Sequence, residues 1–156
     1  MDAPAEPRGF AASCLLETAE GPVPIAETPG KGFPVLTRLP SGALGFRQLL
    51  KVTSGAPVPL VRVVLSTGLD VLVARGHPFY RAGMEPVAAG ALAAGDRLET
   101  AHHYPAGYVP RDVAPDAAGP HLTVRRVEPA GEGPVFTGTV HETHVLFVTA
   151  GVLCGE

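Results

Sequence analysis

The 156-residue chain has no tryptophan, only two cysteines and two methionines, and charged residues make up just 17% of it. Two cysteines cannot form the disulfide framework that staples small secreted domains, so a hydrophobic core must hold the fold. Cys14 and Cys154 read as free thiols in a reducing, cytoplasmic compartment. The low charge, with a net of −3, excludes the basic patch that a nucleic-acid or anionic-membrane binder needs; Arg125-Arg126 is too small a cluster to reverse this. No apolar run approaches the roughly 20 residues of a membrane-spanning helix. The opening MDAPAEPRG lacks a basic n-region and an apolar h-region, and reads as a short flexible arm rather than a signal peptide. It is also compatible with a host protein whose leader has been removed.

Helical periodicity is scarce as well, because prolines interrupt most windows that offer it. What is plentiful is glycine (19), proline (17) and hydrophobic residues (46%), a composition suited to many short strands joined by tight turns in one domain. Alternation predicts strands over 35–39, 46–52, 60–66, 70–73, 96–100, 122–128, 135–140 and 145–148. Thr67-Gly68 joins two of these as a hairpin. Residues 87–92, VAAGAL, read as a helical turn, and 102–120 as a long exposed loop rich in Pro, Gly, Ala and Asp. The order strand, turn, strand, His, aromatic, Ala-Gly in LSTGLDVLVARGHPFYRAG recurs, shortened, in TVHETHVLFVTAG, a faint sign of a duplicated β unit.

Two stretches concentrate residues able to do chemistry: ARGHPFY (74–80), with His77 at the end of a hairpin strand, and HVLFVTAGVL (144–153), opening on His144. Taken alone, His77 is an ordinary hydrogen-bonded histidine at a strand end, and His144 is no more distinctive. Cys14, beside Leu15-Leu16, reads as a small buried hydrophobe. His141-Glu142-Thr143-His144 is not the HExxH of a zinc protease, and two histidines three apart on a strand face opposite ways. A zinc site built from His77, His144 and Cys14 has the right donor chemistry and stays open as an alternative.

These stretches resemble, in order, the Hint family, the self-processing domains shared by Hedgehog proteins and inteins. GPVPI (21–25) is similar to the family's G-x-x-P-I second strand. EPVAAGALAAGDRLE (85–99) resembles the segment that follows the family's HPF and ends in Gly-Asp. VFTGTVHETHVLF (135–147) and GVLCGE (151–156) resemble the closing segments, which in many members end in GVLVHN. The resemblance extends over nearly the whole chain. Each motif is weak alone; the ordered set is specific.

The resemblance implies an activity. In an active Hint domain the first Cys or Ser attacks the preceding carbonyl, turning a peptide into a thioester or ester. The histidine matched by His77 protonates the departing nitrogen. Members open on patterns such as CFxxGTxVxTxxG. Laid without gaps on GFAASCLLETAEG (9–21), that pattern matches Phe10, Thr18 and Gly21. Gly9 then stands where the nucleophile belongs, and Cys14 falls on a small Thr. A rival register makes Cys14 the nucleophile and Ser13 the residue before the scissile bond, at the cost of deleting about five residues.

Other positions depart from the family too. Its Thr three residues before the histidine is Ala74 here, and the Asp ahead of the second histidine falls on Thr137. The terminal His-Asn pair falls on Gly155-Glu156, and Glu lacks the amide with which Asn cyclises. These losses suit natural decay or deliberate inactivation, and Ala74 and Thr137 are odd choices for the latter.

The expectation is therefore an all-β Hint horseshoe with pseudo-two-fold related halves, a domain over 9–156 preceded by an arm over 1–8, and termini close together. The implied function is protein autoprocessing, by self-cleavage or splicing, impaired or lost through the departures at the ends. The domain is expected to be a monomer that persists as a folded module, with flanking polypeptide in cis as its partner and no cofactor or metal. The alternatives are a domain that still cleaves at its N-terminal side with Cys14, and a zinc-binding β module.

Overall fold

Short alternating segments punctuated by Gly and Pro form strands along the chain in a computed structural model, which describes residues 6–101 and 122–156. In order they are β1 (Phe10–Ala11), β2 (Leu15–Thr18), β3 (Gly21–Pro24), β4 (Pro34–Arg38), β5 (Leu44–Ser54), β6 (Val58–Leu65), β7 (Asp70–Ala74), β8 (Pro78–Arg81), β9 (Glu85–Ala88), β10 (Val124–Gly133), β11 (Val135–Val140), β12 (Val145–Val148) and β13 (Val152–Gly155). The described residues contain 3₁₀ turns but no α-helix, and no helix among them is long and apolar enough to cross a membrane.

The strands form one antiparallel sheet in the order β10-β6-β7-β1-β11-β5-β4-β2-β12-β13-β8-β9, with β3 paired to β2. β5 is the hinge of this path. It pairs with β4 through Leu44–Gln48 and with β11 through Leu49–Ser54. Lys51 breaks its regular conformation at φ 56°, and β11 shifts register between Thr137 and Thr139. A bulge of this kind bends and twists a strand, so one long strand serves both halves of the sheet.

The inward faces carry the alternation seen in the sequence: Val35 and Thr37 on β4, Val71 and Val73 on β7, with Phe10, Leu16, Ile25, Phe79 and Leu146 fully or almost fully buried between the halves. Free strand edges invite pairing with other chains unless they are blocked. Here β3 carries Pro22 and Pro24, β9 carries Pro86, and β10 carries Pro129.

Most predicted strands are present, including the hairpin whose loop closes through Leu65 and Leu69. Residues 96–100 differ. They make only isolated bridges, Arg97 to Thr123, Leu98 to Arg81 and Thr100 to Val152, because they cross from one strand to the next rather than run beside one. The helical turn expected at 87–92 is a strand to Ala88 followed by a 3₁₀ turn over Ala89–Ala91. The loop expected at 102–120 lies outside the described residues.

Candidate functional site

The site is assembled by β1, inserted between β7 and β11. Phe10 is opposite both Val73 and Phe136, and Ala74 donates its N–H to the Gly9 carbonyl at 2.9 Å. Just past β7 the chain turns sharply, the His77 N–H bonding back to the Ala74 carbonyl at 2.9 Å, while the His77 carbonyl accepts the Ala89 N–H at 2.8 Å. The His77 ring is thereby aimed at the start of β1.

There its Nδ1 accepts the backbone N–H of Gly9 at 3.0 Å. A nitrogen that accepts holds no proton, so the ring's hydrogen is on Nε2, which donates to the carbonyl oxygen of Gly155 at 2.8 Å. All four polar groups of this residue are satisfied in a fully buried position, the arrangement that makes a buried polar group stabilising rather than costly. The Phe10 ring packs on the imidazole at 4.2 Å, and Phe79 meets it edge-on at 6.4 Å. Burial pushes the His77 pKa down from 6.5 to about 3; the Gly155 contact opposes this and the Arg8 charge adds to it. In this state the ring receives a hydrogen bond from the Gly9 nitrogen and carries no positive charge.

The upstream residues are seated beside it. Gly76 lies under them so closely that a Cβ there would sit 2.5 Å from Glu6 Cβ and 2.8 Å from the Pro7 oxygen. Glu6 pairs with Arg75 at 2.8 Å across an exposed contact, and Arg8 Nη1 reaches the Glu156 backbone oxygen at 3.5 Å.

Cys14 is elsewhere. Its own N–H bonds to the Ala11 carbonyl at 2.9 Å and its carbonyl accepts the Ile25 N–H at 3.0 Å, so the nitrogen before its Cα is committed to the turn between β1 and β2. Its side chain belongs to the main core, where burial pushes the thiol up from 9.0 to about 12, partly offset by a backbone hydrogen bond from Leu72. Cys154 is likewise buried and its thiol raised by burial.

Ala74 turns its methyl into a small apolar cluster with Ala11, Leu60 and Val135. Thr137, on β11, is opposite Thr53 of β5, just ahead of the bulge. His144 lies in a turn, not on a strand, with φ 58° and a side chain 62% exposed; its Nδ1 meets Glu156 Oε1 at 2.8 Å. Thus the last two residues link the two histidines to one end of the sheet: Gly155 contacts His77, and Glu156 contacts His144. Among the described residues, no group of three His, Cys, Asp or Glu side chains could hold a metal ion. Both His77 nitrogens are taken by backbone, and Cys14 is in the core.

Sequence reasoning missed two partners here. In the sequence Glu156 shows only the amide it lacks, yet its Oε2 accepts the Val140 N–H at 2.6 Å. The bare surface of Gly76 under residues 6–7 was signalled only by a glycine ahead of the histidine.

No family model matches the chain, and no curated protein does. Solved structures do. A bacterial intein-like domain from Clostridium thermocellum superposes with a TM-score of 0.77 at 21% identity, over 96% of this chain and 99% of that one. The Ssp DnaB mini-intein variant M86 gives 0.76 at 13% identity, over 98% and 96%. The DnaX mini-intein from Spirulina platensis gives 0.71 at 14% identity, over 95% and 99%. With its single open antiparallel sheet, and over nearly its whole length, this chain has the Hint fold of inteins.

Proposed function

We propose that this is a Hint-type domain descended from autoprocessing proteins, whose N-terminal acyl shift has been lost and whose former active site now works as a clasp on the polypeptide in cis. The single observation that carries the reading is the pairing of the Gly9 N–H with His77 Nδ1 at 3.0 Å. In the family resemblance, the nitrogen facing this histidine is that of the bond to be broken, and the residue bearing it supplies the attacking atom. Glycine has none. A neutral ring already accepting from that nitrogen is also a poor acid toward it.

The same contacts suit a structural role. His77 joins the start of β1 to the end of β13, Gly76 and Arg75 seat the segment before Gly9, and Glu156 secures the last turn. The proline-bearing edges support a monomer. Cys14 is a poor rival nucleophile, because a thiol held near pKa 12 supplies almost no thiolate at neutral pH.

The test is a fusion of a folded reporter upstream of residue 1, incubated for days with dithiothreitol and followed by intact mass. The fusion is expected to stay whole. Thiol-dependent release of the reporter that disappears in Cys14→Ala would overturn the reading and install Cys14 as nucleophile.

A further inference from the structure

We infer that Val135 is the residue that excludes any side chain from position 9, so that the attack position is closed as well as empty. The inference rests on the reading that Gly9 stands at that position. Gly9 has φ +140°, and a Cβ built on it would lie 2.8 Å from Val135 Cβ, 2.9 Å from Val135 Cγ2 and 3.1 Å from the Phe136 carbonyl oxygen. The first of these contacts decides the matter. A clash with the far end of a side chain is relieved by a rotamer change, but a Cβ moves only with its backbone.

The Val135 backbone is fixed on both sides. Val135 is opposite Ala11 in the β1–β11 ladder, and its carbonyl accepts the Gly55 N–H at 2.8 Å. Its side chain is 5% exposed and packs with Ala11, Leu60 and Ala74. This cluster also explains Ala74: a hydroxyl there would face an apolar surrounding. Gly9, Ala74 and Val135 thus form one apolar, close-packed patch where the family resemblance places a nucleophile and a hydroxyl partner. Restoring the nucleophile by Gly9→Cys alone would fail, because the new side chain has no space.

The test is a double-mutant cycle on the full chain, read as the urea midpoint, with Gly9→Ala, Val135→Gly and the pair. Gly9→Ala carries three costs: backbone strain at positive φ, the close approach to the Phe136 carbonyl oxygen and the clash with Val135. The first two are the same in both backgrounds, and the third disappears with Val135→Gly. The expected result is that Gly9→Ala lowers the midpoint at least twice as much beside Val135 as beside Val135→Gly. If Gly9→Ala fails to fold, Val135→Gly is expected to restore folding in the pair. Equal shifts in both backgrounds, or a pair that stays unfolded while Val135→Gly alone folds, would overturn the inference.

A measurement on the unmodified protein guards against Val135→Gly failing to fold. The Gly9 α-protons are expected to show a strong nuclear Overhauser contact to a Val135 methyl, and absence of that contact also overturns the inference. None of these outcomes depends on cleavage. A fusion that cleaves through Cys14 would sink the proposed function, whereas an uncoupled cycle would sink only the role of Val135.

Discussion

His77 Nε2 lies 2.8 Å from the carbonyl oxygen of Gly155, so the ring at the end of the β6–β7 hairpin is bonded to the last strand. With Nδ1 spent on Gly9, one imidazole ties together segments 68 and 78 residues away in the chain.

Acid should expose it. His77 is held near pKa 3 in the fold against 6.5 when unperturbed. Below 6.5 the unfolded chain binds a proton that the folded chain refuses. The stabilising contribution is therefore complete above 6.5 and is lost as pH falls toward 3, by up to about 1.4 kcal/mol per pH unit. Urea midpoints measured from pH 7.5 to 4.5 should fall more steeply for the native chain than for His77→Gln, which keeps a donor and an acceptor but does not titrate. Parallel curves would mean that His77 takes up its proton as readily in the fold as in the unfolded chain.

Glu156 should matter through its acceptor rather than its charge. Its Oε2 takes the Val140 N–H, while its other oxygen meets a His144 side chain that is 62% exposed and so gains little from the pairing. Glu156→Ala should cost about 1 kcal/mol, and Glu156→Gln clearly less, since it keeps an oxygen for Val140. Equal losses in thermal or urea midpoint would assign the effect to charge instead.

Much of this was legible in the chain. The hairpin around Thr67-Gly68 and the HPF segment placed His77 close behind β7, and the register matched at Phe10, Thr18 and Gly21 singled out Gly9, whose N–H meets the ring. What escaped were relations between distant segments. Val135 lies beside Gly9 only because β1 and β11 pair, and a valine in an alternating strand looks like any other. The sequence shows only what the Glu156 side chain lacks, because the Val140 N–H it satisfies is 16 residues away across a turn. Residues 96–100 alternate like a strand, but alternation cannot tell a strand from a segment that crosses between strands.

Both thiols should be inert in the folded state. Cys14 is held near pKa 12 and Cys154 is raised well above its usual value, each by burial. At pH 8, Ellman's reagent should label neither on the minute scale and both after guanidinium unfolding. Rapid native labelling at Cys14 would mean that its thiolate is accessible, and would reopen its candidacy as a nucleophile.

The most direct test of the central claim is nitrogen-15 NMR of His77 in the intact chain at neutral pH. The neutral ring is expected to be protonated on Nε2, with a scalar coupling across the hydrogen bond from Nδ1 to the Gly9 amide nitrogen. A coupling to the Cys14 amide instead, or a ring protonated on Nδ1, would contradict it.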